Sequence, residues 1–381
     1  MRRESRRFHG PLLNAIRRLD HQIRKARSGP RRILFDYGND YGAVCAKPVI
    51  EVLLARGHRV FVTGRVHPRT FDPSLSPHWR APAAADWSGW DAVIITGRPT
   101  VWYRRWTRSF YLYHGIGSGG GGKSYAVRMC ENYDIDVILA TGPQAAAFDE
   151  LVIRNQVLPV SVIQVGFPKT DALVNGCYDR AATLRALGLD PTLPTVMVCS
   201  HWTPPGLLPT FGSRLIEALV TVGNCNLIVG GHPQIWQQEC RTRLGSDWYS
   251  RLEGAVARTG IGRAFPEPDA RPFLFGADLL VSDHSSISLE YAVLGRPIVF
   301  FEHPDWVWGD PRLLEDLRRA TMPVGSIDEI VSAVAGFVSR PLPWTADTSE
   351  LVACSHAVLG TAAESAADAI LARLPADPTG T

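Results

Sequence analysis

The residues best able to do chemistry in this chain sit where apolar runs stop. His114 ends SFYLYHG and His232 ends CNLIVGGH, while LLVSDHSSISLEYAVLG carries Asp283, Ser285 and Ser286 just ahead of a helical pattern over 285–294. The free amides and positive end of a helix starting there attract an anion, and serine hydroxyls add donors. The segment therefore reads as a diphosphate site, against the plainer reading that Ser285 only caps a helix. Glu290, one turn on, is placed to accept bonds from ribose hydroxyls. His232 precedes Pro233, a good first residue for a helix, and can donate to a phosphate oxygen or neutralise a leaving group. With the ordinary imidazole pKa near 6.5, His114 can deprotonate an acceptor hydroxyl at neutral pH. Trp202, in MVCSHWTPP, can line a base pocket or simply pack.

After His114, Gly115 opens a glycine-rich loop in which substrate can approach the backbone closely. Gly117 to Ser124 satisfies G-x-x-x-x-G-K-[ST], the phosphate loop of many NTPases. The glycine run Gly119 to Gly122 meets that pattern cheaply, and no strand ending in a carboxylate is an evident magnesium partner. Lys123 therefore reads as a loop cation near an acceptor or donor phosphate. Asp134 and Asp136 form D-x-D, but they open the strand DVILATG rather than end it, which makes them strand-start residues.

These positions need elements to hold them. From residue 31 the pattern repeats strand, turn, helix: RRILFDYG (31–38), a helix over 44–57, HRVFVTG (58–64), DAVIITG (91–97), SFYLYHG (109–115), DVILATG (136–142) and LPVSVIQVG (158–166). Short apolar runs that stop at glycine are the mark of parallel strands buried on both faces. A second series follows a polar stretch: TVMVCSH (195–201), CNLIVGGH (225–232), ADLLVSD (277–283) and RPIVFFE (296–302), with helices such as 210–222 between them. Two β/α series in 381 residues imply two Rossmann-like doubly wound α/β domains, with ligands in a cleft faced by the strand carboxyl ends. The expected boundaries are an arm over 1–32, an acceptor domain over 33–175, a nucleotide-donor domain over 176–345, and a C-terminal helix and tail over 346–381. That Ala-rich helix either closes the second domain or crosses back to the first.

Composition narrows the class. Apolar residues make up 45% and charged residues 20%, and no run reaches the ~20 apolar residues of a membrane span. The start, MRRESRRFHG, leads into more arginine instead of an apolar segment, so a cytoplasmic protein is expected. Seven cysteines show no C-x-x-C or zinc-type spacing and read as reduced thiols. Net charge is only +3, yet residues 1–32 hold eleven arginines and lysines against Glu4 and Asp20. Within that arm Leu12, Ile16, Leu19 and Ile23 recur at helical spacing, with Arg17, Arg18, Arg24 and Lys25 on the other faces. A basic amphipathic helix suits an anionic membrane surface, or packs on the protein body. Nucleic acid is not expected as a partner, since interleaved aromatics and a recognition motif are both missing.

In order and spacing over 110–302, these segments resemble the CDP-glycerol:poly(glycerophosphate) glycerophosphotransferases, the teichoic-acid and capsule polymerases and primases. The matches are His114-Gly115, the junction Gly166-Phe167-Pro168-Lys169-Thr170-Asp171, His232-Pro233, Ser282-Asp283-His284-Ser285-Ser286, and Arg296-Pro297-Ile298. Three positions depart: Lys169 replaces arginine, Ser200-His201-Trp202-Thr203 stands for Pro-Thr-Trp-Arg, and His284 replaces tyrosine. The resemblance implies a GT-B-like fold and transfer of glycerol phosphate from CDP-glycerol to a lipid-linked or polymeric acceptor on the inner face of the membrane. It gives His114 the role of base, and Ser285, Ser286 and His232 that of holding the diphosphate while CMP leaves. Asp283, Glu290, Trp202 and Gly166 join the donor contacts; no cofactor and no metal are called for. The competing readings are a GT-B glycosyltransferase with a UDP- or CMP-linked sugar, a P-loop nucleotide-binding protein, and an acceptor-binding scaffold.

Overall fold

The computed structural model describes residues 30–70, 72–87, 89–101, 107–116, 125–232, 248–257, 262–264 and 269–374. The arm over residues 1–29, Lys123 and Pro233 lie outside this set. The chain divides into two compact units. The first takes the residues up to His114, those from 125 to Asp171, and those from His356 on; the second takes Ala172–Ser355 and Gly115.

The first unit is built on six parallel strands: β1 (Arg32–Tyr37), β2 (Arg59–Gly64), β3 (Ala92–Ile95), β4 (Arg108–Leu112), β5 (Val137–Ala140) and β6 (Ser161–Gln164), in the order β2-β1-β3-β4-β5-β6. Helices cover both faces, so residues of both alternations are buried: Ile33 and Phe35 pack in one core, Leu34 in another. The first helix, Asp40–Ala55, starts where the Asn39 side chain accepts the Gly42 N–H at 2.9 Å, and buries Val49, Ile50 and Leu53 on the sheet. The Ala-rich C-terminal segment is two helices, Ser349–Ser355 and Ala362–Leu371. The second belongs to the first unit, with Ala363, Ala366, Ala367 and Ile370 in its core. No side chain of its own caps it; instead the Asp171 carboxylate accepts the Ala362 and Ala363 amides at 3.0 and 2.8 Å.

The second unit repeats the plan with β7 (Thr195–Ser200), β8 (Asn226–Gly231), β9 (Gly262–Ala264), β10 (Leu279–Ser282), β11 (Ile298–Phe301) and β12 (Met322–Val324), all parallel, in the order β12-β11-β10-β7-β8-β9. The order steps outward from β7 through β8 and β9, then jumps to β10 and steps the other way. The switch point is therefore the β7/β10 pair, where successive crossovers leave for opposite faces and open a crevice beyond the strand carboxyl ends. In the first unit the switch point is the β1/β3 pair by the same reasoning. The helix expected over 285–294 is shorter, Ile287–Ala292, and the one over 210–222 is broken at Gly212 into Leu207–Phe211 and Ser213–Val220. Among the described residues no helix is long and apolar enough to cross a membrane.

Candidate active site

In the second unit the switch point is tied together by one carboxylate. Asp283, just past β10 and fully enclosed, accepts the Ser200 hydroxyl at 2.8 Å and the His201 amide at 3.0 Å from the end of β7. It also accepts the Leu207 amide at 2.6 Å and the Ser285 amide at 3.0 Å. Four groups on three segments thus converge on a single anion, which fixes the loop after β7 against the loop after β10. Asp283 was expected among the donor contacts; its oxygens are occupied by protein, so it positions the contacts instead. The Ser285 amide points at Asp283 and is not open to a phosphate, whereas both serine hydroxyls sit on a half-buried loop.

Glu290, expected to accept from a ribose, is enclosed. Only 2% of it is exposed, and its carboxylate lies under Ser286, whose Oγ is 3.5 Å from Oε1. Gly166 is corrected too. In the first unit, at φ +84°, it faces the Val358 carbonyl, which would stand 2.5 Å from a Cβ there. Its role is close packing against the chain that leads into the last helix. Arg296 serves the fold as well, donating to the Phe275 and Ala277 carbonyls. Gly115 groups with the second unit, and a Cβ on it would lie 3.1 Å from the Ser286 hydroxyl.

Around the serines stands a group of rings that only partly matches expectation. His232, past β8, and Trp202, past β7, are half-buried with ring centres 6.3 Å apart. Between them and the serines lies His201, with ring centres 5.8 Å from His232 and 4.7 Å from His284. The Thr203 amide donates to His201 Nδ1 at 3.2 Å. A backbone N–H can only donate, so Nδ1 is an acceptor and the neutral ring carries its proton on Nε2. Burial lowers the His201 pKa, which keeps that neutral form. His201 is thus an N–H donor at the switch point that sequence reasoning passed over. The available signal was its place two residues from the strand interior, the same offset as His232.

His284 stacks on Trp306 at 3.5 Å between ring centres and 14° between planes. Burial, with His201 and His303 nearby, pushes its pKa down to about 4 against the pull of Asp283. Among the described residues its enclosed Nε2 has no hydrogen-bond partner. A buried polar atom left open costs on the order of 1–3 kcal/mol, so it marks a place where a ligand atom is welcome.

His114 belongs to the first unit, two residues past β4. Its ring packs on Tyr41 at 5.4 Å, and Nδ1 is 3.2 Å from the Tyr111 hydroxyl. Burial lowers its pKa to about 4, the Lys169 charge pushing the same way and a bond to the Thr96 backbone opposing. The ordinary value near 6.5 expected from sequence is therefore wrong for this ring: it is neutral throughout the physiological range. Lys169, the cation of the junction motif, is buried in the same unit and near enough for its charge to be felt. Asp136 is a strand-start residue, accepting the Ser109 amide at 2.9 Å. Among the described residues no cluster of His, Cys, Asp or Glu is arranged to hold a metal.

The comparisons with known proteins fall on this geometry. The model of the CDP-Glycerol:Poly(glycerophosphate) glycerophosphotransferase family matches residues 227–312, a span that runs from β8 past β11 and contains His232, Asp283, His284, Ser285, Ser286 and Trp306. No curated protein matches in sequence. Among solved structures, a variant of the wall teichoic acid polymerase TagF soaked with CDPG is similar at a TM-score of 0.60 and 14% identity, over 95% of this chain and 94% of that one. A second TagF variant gives 0.59 and 13%, over 95% and 93%. The S. aureus MnaA–UDP complex gives 0.56 and 11%, over 88% and 94%. At these identities the likeness is one of fold, a GT-B-like pair of Rossmann-like domains. Over the segment 227–312, which supplies most of the second-unit site, the chain is similar to the CDP-glycerol:poly(glycerophosphate) glycerophosphotransferase family.

Proposed function

We propose that this chain transfers glycerol phosphate from CDP-glycerol to a hydroxyl of a cell-envelope polymer or its lipid-linked precursor, in teichoic-acid or capsule synthesis, releasing CMP. The observation that carries the reading is the β7/β10 switch point, where Asp283, inside the family-matched segment, accepts the Ser200 hydroxyl and the His201, Leu207 and Ser285 backbone amides and so holds together the loops that carry the serine hydroxyls and the imidazoles. Ser285, Ser286, His232 and the His201 Nε2–H supply donors for the diphosphate, and Trp202 offers a ring for the cytosine. His114 takes the proton from the acceptor hydroxyl, whose oxygen attacks the phosphorus next to the glycerol. The bond to the bridging oxygen breaks, CMP leaves with that oxygen, and no covalent enzyme intermediate is required. Donors fixed in advance around the developing charge lower the barrier without reorganising.

Work on a lipid-linked acceptor places the enzyme at the cytoplasmic face of a membrane. The basic arm over residues 1–32 supports that reading by its charge and its apolar spacing. The test is direct. Purified full-length chain is incubated with a lipid-linked or oligosaccharide acceptor and, in turn, CDP-glycerol, UDP-sugars and a CMP-sugar. The expected result is CMP from CDP-glycerol and an acceptor heavier by glycerol phosphate units. Release of UDP from a UDP-sugar, with CDP-glycerol left intact, overturns it.

A further inference from the structure

The first unit has a cavity that none of the above uses. About 570 Å³ in volume, it is lined by Arg65, Arg98, Pro99, Thr100 and Tyr133. Arg65 follows β2 and Arg98 follows β3, the two neighbours of β1 in the sheet. The cavity thus borders the β1/β3 switch point, where a doubly wound sheet opens its ligand crevice. The backbones meet closely there: a Cβ on Gly38, just past β1, would lie 3.0 Å from the Arg98 amide nitrogen.

Arg98 is carried on an anchored loop. Asp36, at the end of β1 and fully enclosed, accepts the Thr100 amide at 2.7 Å, the Thr100 hydroxyl at 2.7 Å and the Val101 amide at 3.0 Å. Those bonds spend the carboxylate on the loop, so it does not neutralise the arginines. Both arginines are exposed, and among the described residues neither makes a hydrogen bond or ion pair. Two cations that share a cavity repel each other, and an anion between them removes the repulsion and engages both forks. A cavity of this size exceeds what one inorganic phosphate fills and falls in the range for small organic ligands.

We propose that Arg65 and Arg98 form a phosphodiester-binding subsite that holds a phosphate of the acceptor chain. The anion specificity follows from the cavity; that the phosphate belongs to the acceptor rests on the function proposed above. A poly(glycerol phosphate) or lipid-linked phosphate acceptor carries such groups next to its reactive end. Arginines suit them better than lysines because two parallel N–H groups meet two phosphate oxygens.

The experiment compares wild type, Arg65→Gln/Arg98→Gln and Arg65→Lys/Arg98→Lys, all full length, in three arms. Binding of a synthetic glycerol phosphate trimer is followed by calorimetry without donor, so it needs no turnover. Acceptor KM, CDP-glycerol KM and kcat are measured in the transfer assay. Binding to vesicles of anionic phospholipid is measured by sedimentation. The glutamine variant is expected to bind the trimer at least about 10-fold more weakly and to raise acceptor KM by about 10- to 100-fold, leaving CDP-glycerol KM within about twofold. The lysine variant should recover part of the loss, and vesicle binding should not change. Unchanged trimer binding in the glutamine variant overturns the subsite. Loss of vesicle binding with trimer binding intact assigns the arginines to lipid headgroups and overturns it equally. If wild type binds the trimer through these arginines yet never releases CMP, the subsite stands and the proposed function falls.

Discussion

At the residue scale the chemistry turns on how neutral groups are held. In the second-unit site Asp283 accepts its hydrogen bonds from protein groups, and the consequence is measurable. Asp283→Asn should destabilise the protein by on the order of 3 kcal/mol, because an amide NH₂ would face the N–H donors of His201, Leu207 and Ser285. Ser285→Ala should leave the denaturation midpoint almost unmoved and raise CDP-glycerol KM by about tenfold, the loss of one hydrogen bond to a charged group. If the two variants exchange behaviours, the division between positioning and contact residues is wrong. His114→Ala should remove turnover while CDP-glycerol still binds, and the wild-type kcat/KM should hold its plateau down to about pH 5, since the base stays unprotonated until near its pKa of about 4. An acid limb centred at pH 6.5 would contradict the burial of that ring. Residue types and strand-end positions were legible: His114, His232, Trp202, Ser285 and Ser286 all stand where apolar runs stop. Burial was not. The sequence places Glu290 by its distance from the serines and Gly166 by the junction motif, but whether a carboxylate is enclosed or a glycine packs against a carbonyl depends on packing that no local spacing encodes.

At the element scale, what matters is how the short strand-end loops are locked. Gly166 makes a clean case. At φ +84° an alanine pays left-handed strain of about 1–2 kcal/mol, and its Cβ would also meet the Val358 carbonyl at 2.5 Å and the Ala362 Cβ at 2.7 Å. Gly57, at φ +82° with nothing within 4 Å, carries the strain alone. Gly166→Ala should therefore lower the thermal midpoint clearly more than Gly57→Ala, with CDP-glycerol KM unchanged per folded molecule. Equal midpoints would mean the last helix yields to the added methyl; a raised CDP-glycerol KM would return Gly166 to the donor site. The long buried strands were readable because parallel strands covered on both faces are continuous apolar runs. The edge strands β9 and β12 have three residues each and no such run, with Pro323 inside β12. The Ala-rich segment splits at 356–361, which an eye set on small residues takes for one helix.

For the whole molecule, two doubly wound sheets followed from two β/α series, but strand order did not: where the sequence of crossovers reverses is a tertiary choice, and it decides which loops become sites. Burying imidazoles just past the strand ends makes stability depend on pH, with a sign set by the direction of each shift. His114 and His284 titrate near pH 4 folded, against 6.5 for an unperturbed ring. Their stabilising contribution is complete above pH 6.5 and is lost as pH falls to about 4, because the unfolded chain binds the protons first. Asp36 runs the other way. Burial raises its pKa to about 6 from 3.8, so its contribution is complete below pH 3.8 and is lost as pH rises to about 6. At about 1.4 kcal/mol per pKa unit each group is worth at most about 3 kcal/mol, so Asp36 offsets one histidine and the second is left uncompensated. Wild type should therefore lose a few kcal/mol between pH 6.5 and 4. His284→Tyr keeps a ring against Trp306 and has no charge to gain in that window, so its loss should be smaller by up to about 3 kcal/mol. Urea midpoints at half-unit pH steps read the difference; parallel curves for the two proteins would show that His284 reaches water freely and that its stack on Trp306 does not persist in solution.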